Sequence, residues 1–150
     1  MLKEGDKAPE FALTDDAGNT VSLKDFAGKK VVVYFYPKDD TPGCTREACS
    51  FRDNYDAILE KGAVVIGISP DDESSHEKFK SKYNLPFYLL ADPEKRVIEA
   101  FGAWGEKERD GKVSEGLLRS TFVIDEDRTV IKAWPQVNPD EHAEEVLAAL

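Results

Sequence analysis

The sequence predicts an α/β fold: a central mixed sheet flanked by helices on both faces, with an N-terminal β-hairpin. Three observations carry this. Two runs, Lys29-Lys30-Val31-Val32-Val33-Tyr34-Phe35-Tyr36 and Ala63-Val64-Val65-Ile66-Gly67-Ile68-Ser69, are continuously β-branched and aromatic, the pattern of strands covered on both faces. A helical pattern follows each of them, and alternation of strand and helix favours parallel pairing. Late in the chain two strand patterns are separated only by a short acidic turn, which adds antiparallel strands.

Each element has a local reason. Residues 11–13 and 20–23 flank the turn Asp15-Asp16-Ala17-Gly18-Asn19 and predict a small hairpin. The first buried strand is ended by Pro37, and Asp39-Asp40-Thr41-Pro42-Gly43 is a turn and helix-start signal. From 44 to about 61 the pattern is helical, with Ala48, Phe51, Tyr55, Ile58 and Leu59 on one face and Gly62 as the stop. The second buried strand ends at Pro70. Residues 71–83 read as a polar helix anchored by Phe79 and Tyr83, which leaves His76 as a solvated surface residue. A strand is expected at 87–90 and a short helix at about 93–101. Residues 104–115 are charged and contain glycine, so an exposed loop is expected there. Residues 119–125 and 128–134 form the late hairpin, and 139–150 an amphipathic helix with Val146, Leu147 and Leu150 inward. This order of elements is the architecture of a thioredoxin-like fold, expected to span residues 1–150 as a single domain.

Composition narrows the function. With 20 basic and 30 acidic residues the net charge is −10. A nucleic-acid binder gains its phosphate contacts from Lys and Arg, so no nucleic-acid partner is expected. No membrane association is expected either, because the same charge opposes an anionic surface and the apolar runs are too short to span a bilayer. Met1-Leu2-Lys3-Glu4-Gly5-Asp6 offers no apolar signal core. The expectation is a soluble, cytoplasmic domain.

There are only two cysteines, Cys44 and Cys49. A secreted disulfide scaffold needs more. A zinc site needs four ligands, and His76 and His142 are isolated from the cysteines and from each other, so no metal is expected. Two cysteines this close are inert core residues, a coincidence, or a redox pair. The segment before them favours chemistry. With Thr41 as N-cap, Pro42 falls at N1 and Cys44 at N3, the seat that Glu or Gln takes in a capping box. A thiolate there meets first-turn amides and the positive end of the helix dipole. Moving a thiol from about 8.5 to about 6 takes roughly 3.4 kcal/mol. A helix terminus supplies about 0.3–1 kcal/mol, and about 2 in a favourable buried geometry. A cation must therefore contribute. Arg119 is the better candidate, because it leads a strand expected to lie beside residues 31–36. Arg46 is on the helix itself and points partly away.

Pro37-x3-Thr41-x2-Cys44, together with Arg119 ahead of Ser-Thr-Phe-Val-Ile-Asp, resembles the active-site signature of the peroxiredoxins. Thr-Pro-Gly-Cys-Thr-Arg-Glu-Ala-Cys, with Cys49 five residues on, is similar to the atypical two-cysteine branch called PrxQ or bacterioferritin comigratory protein. Gly-Asp-Lys-Ala-Pro-Glu-Phe and Pro-Phe-Tyr-Leu-Leu-Ala-Asp match the same family. The resemblance implies a thiol peroxidase acting on hydrogen peroxide and organic hydroperoxides. Cys44 would attack the O–O bond and become a sulfenic acid. Thr41 would hydrogen-bond the thiolate and the peroxide, Arg119 would stabilise both, and Pro37 would shield the site. Cys49 would resolve the sulfenic acid as an intramolecular disulfide, which thioredoxin or a similar dithiol would reduce. No cofactor is implied, and with both cysteines in one chain a monomer is expected. On one continuous helix, however, Cα atoms five residues apart lie about 8.6 Å apart on diverging faces. A disulfide needs about 4.4–6.8 Å. Residues 43–50 are therefore expected to unwind when the bond forms.

Plainer readings stand beside these. Cys49 could be a core-facing helix residue, Thr41 only a cap, and Arg119 a strand-edge charge paired with Asp125 or Glu115. A thioredoxin-like thiol–disulfide oxidoreductase is the nearest rival function. That class uses Cys-x-x-Cys, whereas the spacing here is Cys-x4-Cys. A non-enzymatic binding module has no positive feature in its favour.

Overall fold

The central strand β3 (Lys30–Phe35) runs parallel to β4 (Ala63–Ser69), which runs parallel to β5 (Tyr88–Ala91). On the other side β3 pairs antiparallel with β8 (Ser120–Ile124), and β8 with β9 (Val130–Trp134). The N-terminal hairpin of β1 (Ala12–Asp15) and β2 (Thr20–Ser22) joins the opposite edge through β1 and β5. The seven strands follow the order β2-β1-β5-β4-β3-β8-β9. The structure is a computed structural model that describes residues 1–150 apart from the side chain of Arg109.

Strand alternation divides the core in two. Val31, Val33 and Phe35, with Ile66, Ile68, Phe122 and Ile124, face a cluster closed by Phe11, Phe101 and α4 (Arg96–Ala100). Val32, Tyr34, Tyr36, Val65, Leu89 and Val123 face the other way, against α1 (Pro42–Asp53), α2 (Tyr55–Glu60), α3 (Glu73–Tyr83) and α5 (His142–Ala148). Both faces are covered, which explains why the two central strands carry no polar alternation. Gly67 lies opposite Tyr34, and a Cβ there would come within 2.8–2.9 Å of the tyrosine ring. The missing side chain lets Tyr34 lie flat beneath α1, stacked on Phe51 at 4.7 Å.

Two expectations need correction. The helical stretch to about 61 is two helices: α1 starts at Pro42, the N1 position expected with Thr41 as N-cap, and the chain breaks at Asn54 before α2. The Asn54 amide and side-chain Nδ2 both donate to Ser50 O, closing α1 with a local cap. Residues 104–115 are no loop. They contain β6 (Trp104–Arg109) and the start of β7 (Lys112–Leu117), an antiparallel ribbon outside the main sheet. Much of this ribbon faces solvent, so the hydrophobic period that marks a strand is missing. Its turn is Asp110-Gly111, both at positive φ (54° and 78°), the dipeptide that favours a tight hairpin.

Candidate active site

The site lies at the C-terminal end of β3. Phe35 pairs with Ser120, so the residue before Ser120 sits level with the point where the chain leaves the sheet for α1. Arg119 is brought there by β8 and Cys44 by the first turn of α1. Thr41 is the N-cap, in extended conformation, with Pro42 at N1 and Cys44 at N3. Its side chain does not cap the helix: the Thr41 hydroxyl donates to Lys38 O at 2.9 Å. Cys44 is buried and Cys49 half-buried, and both are free thiols. Pro37 is exposed and opens the loop that leads to Thr41.

Arg119 Nη2 donates to Cys44 Sγ at 3.2 Å, and its Nη1 donates to Glu47 Oε1 at 2.7 Å. One guanidinium thus faces two groups that can become anions. Burial pulls Arg119 toward its neutral form, but Glu47 and Cys44 outweigh it and hold its pKa above the ordinary value. Glu47 is fully buried, and its second oxygen, Oε2, has no partner among the described residues. Burial pushes its carboxyl up to about 7, with Arg119 pulling against that. Arg46 turns outward to Asp140 at 2.6 Å, so among the described residues Arg119 is the cation that bonds the thiol. The plainer pairing of Arg119 with Asp125 or Glu115 is replaced by Glu47.

Beside Arg119 an open groove of about 560 Å³ is lined by Leu118, Pro135 and Val137 together with Glu106, Lys107 and Glu108. On the far side of the loop, Asp39, Asp71 and His76 bring ligand-type atoms within 4.8 Å of one another. These atoms are engaged with each other and with nearby serines, so the trio forms a hydrogen-bonded cluster rather than an open metal site. His76 is fully buried, not a surface residue.

The AhpC/TSA family model matches residues 4–133. Peroxiredoxin Bcp of Bacillus subtilis is 51% identical over 149 residues, covering 99% of this chain and 95% of the relative. Peroxiredoxin Bcp of Escherichia coli K12 is 44% identical over 146 residues, 97% and 94% of the two chains. The chain belongs to the AhpC/TSA family, in its Bcp/PrxQ peroxiredoxin branch. Solved structures agree. PrxQ of Xylella fastidiosa superposes with a TM-score of 0.91 at 32% identity, covering 99% of this chain and 94% of its own. The bacterioferritin comigratory protein of Xanthomonas campestris gives a TM-score of 0.87 at 37% identity, with coverages of 93% and 88%. The thioredoxin-like peroxiredoxin fold is shared, and the activity is that of a two-cysteine thiol peroxidase taking a hydroperoxide and a thiol reductant. Among the described residues no helix is long and apolar enough to cross a membrane.

The structure brings Arg119 to Cys44, the pair the sequence puts together, and adds Glu47, which the sequence reading did not single out. A signal was available: Glu47 is three residues after Cys44, so the two share a helix face, and that face is the apolar one.

Proposed function

We propose that Cys44 is the peroxidatic thiol, that Cys49 resolves it, and that thioredoxin or a similar dithiol protein reduces the product. The single observation that carries this is the Arg119 guanidinium donating to Cys44 Sγ at 3.2 Å at the start of α1. The guanidinium gives the thiolate a charge-assisted donor at the positive end of α1. The thiolate attacks one peroxide oxygen; the S–O bond forms as the O–O bond breaks, and the leaving oxygen takes up a proton as water or an alcohol. Arg119 reaches the region where negative charge grows on the leaving oxygen. Thr41 has its own proton committed to Lys38 O, so its oxygen is available to accept the peroxide O–H and orient it. Pro37, at the start of the loop that leads to Thr41, shields the site from water. Glu47 acts through Arg119 as a positioning residue, holding the guanidinium by its other nitrogen.

The Cys49 thiolate then attacks the Cys44 sulfenic sulfur, expelling hydroxide as water and forming the disulfide. A dithiol partner restores both thiols by exchange and leaves oxidised. The groove beside Arg119 supports organic hydroperoxides alongside hydrogen peroxide: Leu118, Pro135 and Val137 give the organic group an apolar wall. The Xanthomonas protein's alkyl peroxide reduction favours the same range. The domain, residues 1–150, acts as a cytoplasmic monomer, with both redox thiols in one chain and no metal or other cofactor in the reaction.

The test is coupled hydroperoxide consumption with thioredoxin. Cys44→Ser keeps the shape of the site but not its nucleophile, and activity should fall below a few per cent with the fold intact by circular dichroism. A variant that kept more than this would remove Cys44 from the role.

A further inference from the structure

The loop that carries Thr41 to the thiol is gripped from the side by α3. At one end, His76 Nδ1 meets Asp39 Oδ2 at 2.7 Å, Ser75 Oγ donates to the same oxygen at 2.8 Å, and the Tyr36 hydroxyl donates to Oδ1 at 2.6 Å. The Asp39 amide donates to Asp71 Oδ2 at 2.8 Å. At the other end, Asp40, at φ 57°, accepts from Lys82 Nζ and the Tyr83 hydroxyl, each at 2.8 Å. The second ring nitrogen of His76 faces a further acceptor, Leu90 O on β5, at 3.0 Å. The Tyr36 hydroxyl also lies 3.4 Å from Nδ1, but its proton goes to Asp39 Oδ1 at 2.6 Å, so both nitrogens face oxygens with no proton left to give. A neutral ring carries one N–H and would set a lone pair against one of these oxygens; only the imidazolium satisfies both.

We propose that His76 is a positioning residue of the peroxidase site: its imidazolium, bonded to Asp39 and to Leu90 O, fixes the 37–41 loop and so presents Thr41 to the peroxide at Cys44. The inference rests on Cys44 as the reacting thiol. Nothing in this role requires contact between His76 and substrate. The groups facing the ring from each packed element are the Tyr36 hydroxyl from just beyond β3, Asp39 from the loop, Asp71 from the turn after β4 and the Leu90 carbonyl from β5. Asp72, Glu73, Glu77 and Lys80 flank it on or beside its own helix, nearer the surface. Burial favours the neutral ring most strongly. The hydrogen bond and charge of Asp39, the Leu90 carbonyl and the charge of Asp71 together outweigh it and raise the pKa above the ordinary value. The clamp is complete below the ordinary histidine value near 6.5 and is lost as pH rises through the higher folded value. Loss of the proton leaves Leu90 O or Asp39 facing a lone pair, and the loop is released.

The consequence is an alkaline limb in the rate of thiol oxidation, separate from the acid limb set by thiolate formation. Stopped-flow oxidation by hydrogen peroxide should show both limbs in the wild type. In His76→Gln the alkaline limb should vanish and the rate at neutral pH fall about tenfold or more, while the acid limb keeps its place. Asp39→Asn keeps a hydrogen-bond acceptor and removes the charge, so its alkaline limb should move to lower pH. It carries the test alone if His76→Gln does not fold. Nitrogen NMR of the wild type at pH 7 should find both ring nitrogens of His76 protonated. A singly protonated ring, a His76→Gln profile that overlays the wild type, or an unmoved limb in Asp39→Asn would overturn the proposal. So would a rate loss in His76→Gln that disappears on cooling well below its melting temperature. Retained activity in Cys44→Ser would instead count against the peroxidatic assignment, so the two failures are distinguishable.

Discussion

Oxidation by one equivalent of hydroperoxide should unwind α1. Cys44 and Cys49 both lie within the continuous helix Pro42–Asp53, where Cα atoms five residues apart are about 8.6 Å from each other. Even the longest ordinary disulfide spans about 6.8 Å, so roughly 2 Å must be closed and the side chains turned toward each other. No rotamer change within an intact helix does both. Opening the helix disturbs Phe51, which is fully buried, stacked on Tyr34 at 4.7 Å and edge-on to His142 at 6.0 Å. Burial of one such ring stabilises the closed form by about 1.5–3 kcal/mol, equivalent to about one to two decades of amide protection. Hydrogen exchange on reduced and oxidised protein should show that loss confined to roughly residues 43–55, with β3, β4 and β8 unchanged. Equal protection in both states, with the Cys44–Cys49 bond confirmed by mass, would refute the reasoning, since the bond would then have formed across an intact helix.

Cys49→Ser should react once with peroxide, leave a sulfenic acid that dimedone traps, and then stall or depend on added thiol; normal turnover with thioredoxin would mean that resolution takes another route. Arg119→Ala should slow the first oxidation by more than its lost thiolate accounts for, because the guanidinium also meets charge on the leaving oxygen. If raising the pH restores the full wild-type rate, Arg119 serves the thiolate alone. Glu47→Gln bears on stability. The folded carboxyl holds its proton up to about 7 and the unfolded one releases it near 4.5, so wild-type stability falls as pH rises through that window. Glutamine removes this slope, and urea melts should show a gain relative to wild type above pH 7 of up to about 3 kcal/mol. Parallel pH dependences for the two proteins would mean that Glu47 is ionised throughout.

The buried strands and the thiol's place at N3 were legible because each depends on local order: unbroken apolar runs, a proline at N1, a threonine before it. The pairing of β3 with β8, and with it the reach of Arg119 to Cys44, followed from the expectation that strand 119–125 lies centrally. Features that depend on what a side chain meets across the fold were hidden. His76 sits among polar neighbours on α3 and reads as solvated; it is buried because Asp39, Ser75 and Leu90 O close around it from three segments. Glu47 lies on the apolar face of α1, but its partner is revealed only when the start of β8 delivers Arg119 to it. The ribbon of β6 and β7 lacked an apolar face, and only Asp110-Gly111 signalled it.

The break at Asn54 sets a limit on how much of the chain each catalytic cycle must rebuild. A single helix running to residue 61 would carry Tyr55 and Ile58 out of the core whenever its first turns opened. With Ser50 O held by Asn54 and α2 seated separately, both stay in place. α1 is about three turns long, and the opening that the disulfide requires ends within it, before Asn54. Local unfolding of a packed element runs from microseconds to seconds, so a smaller unit to open leaves less of the core to rebuild in every cycle.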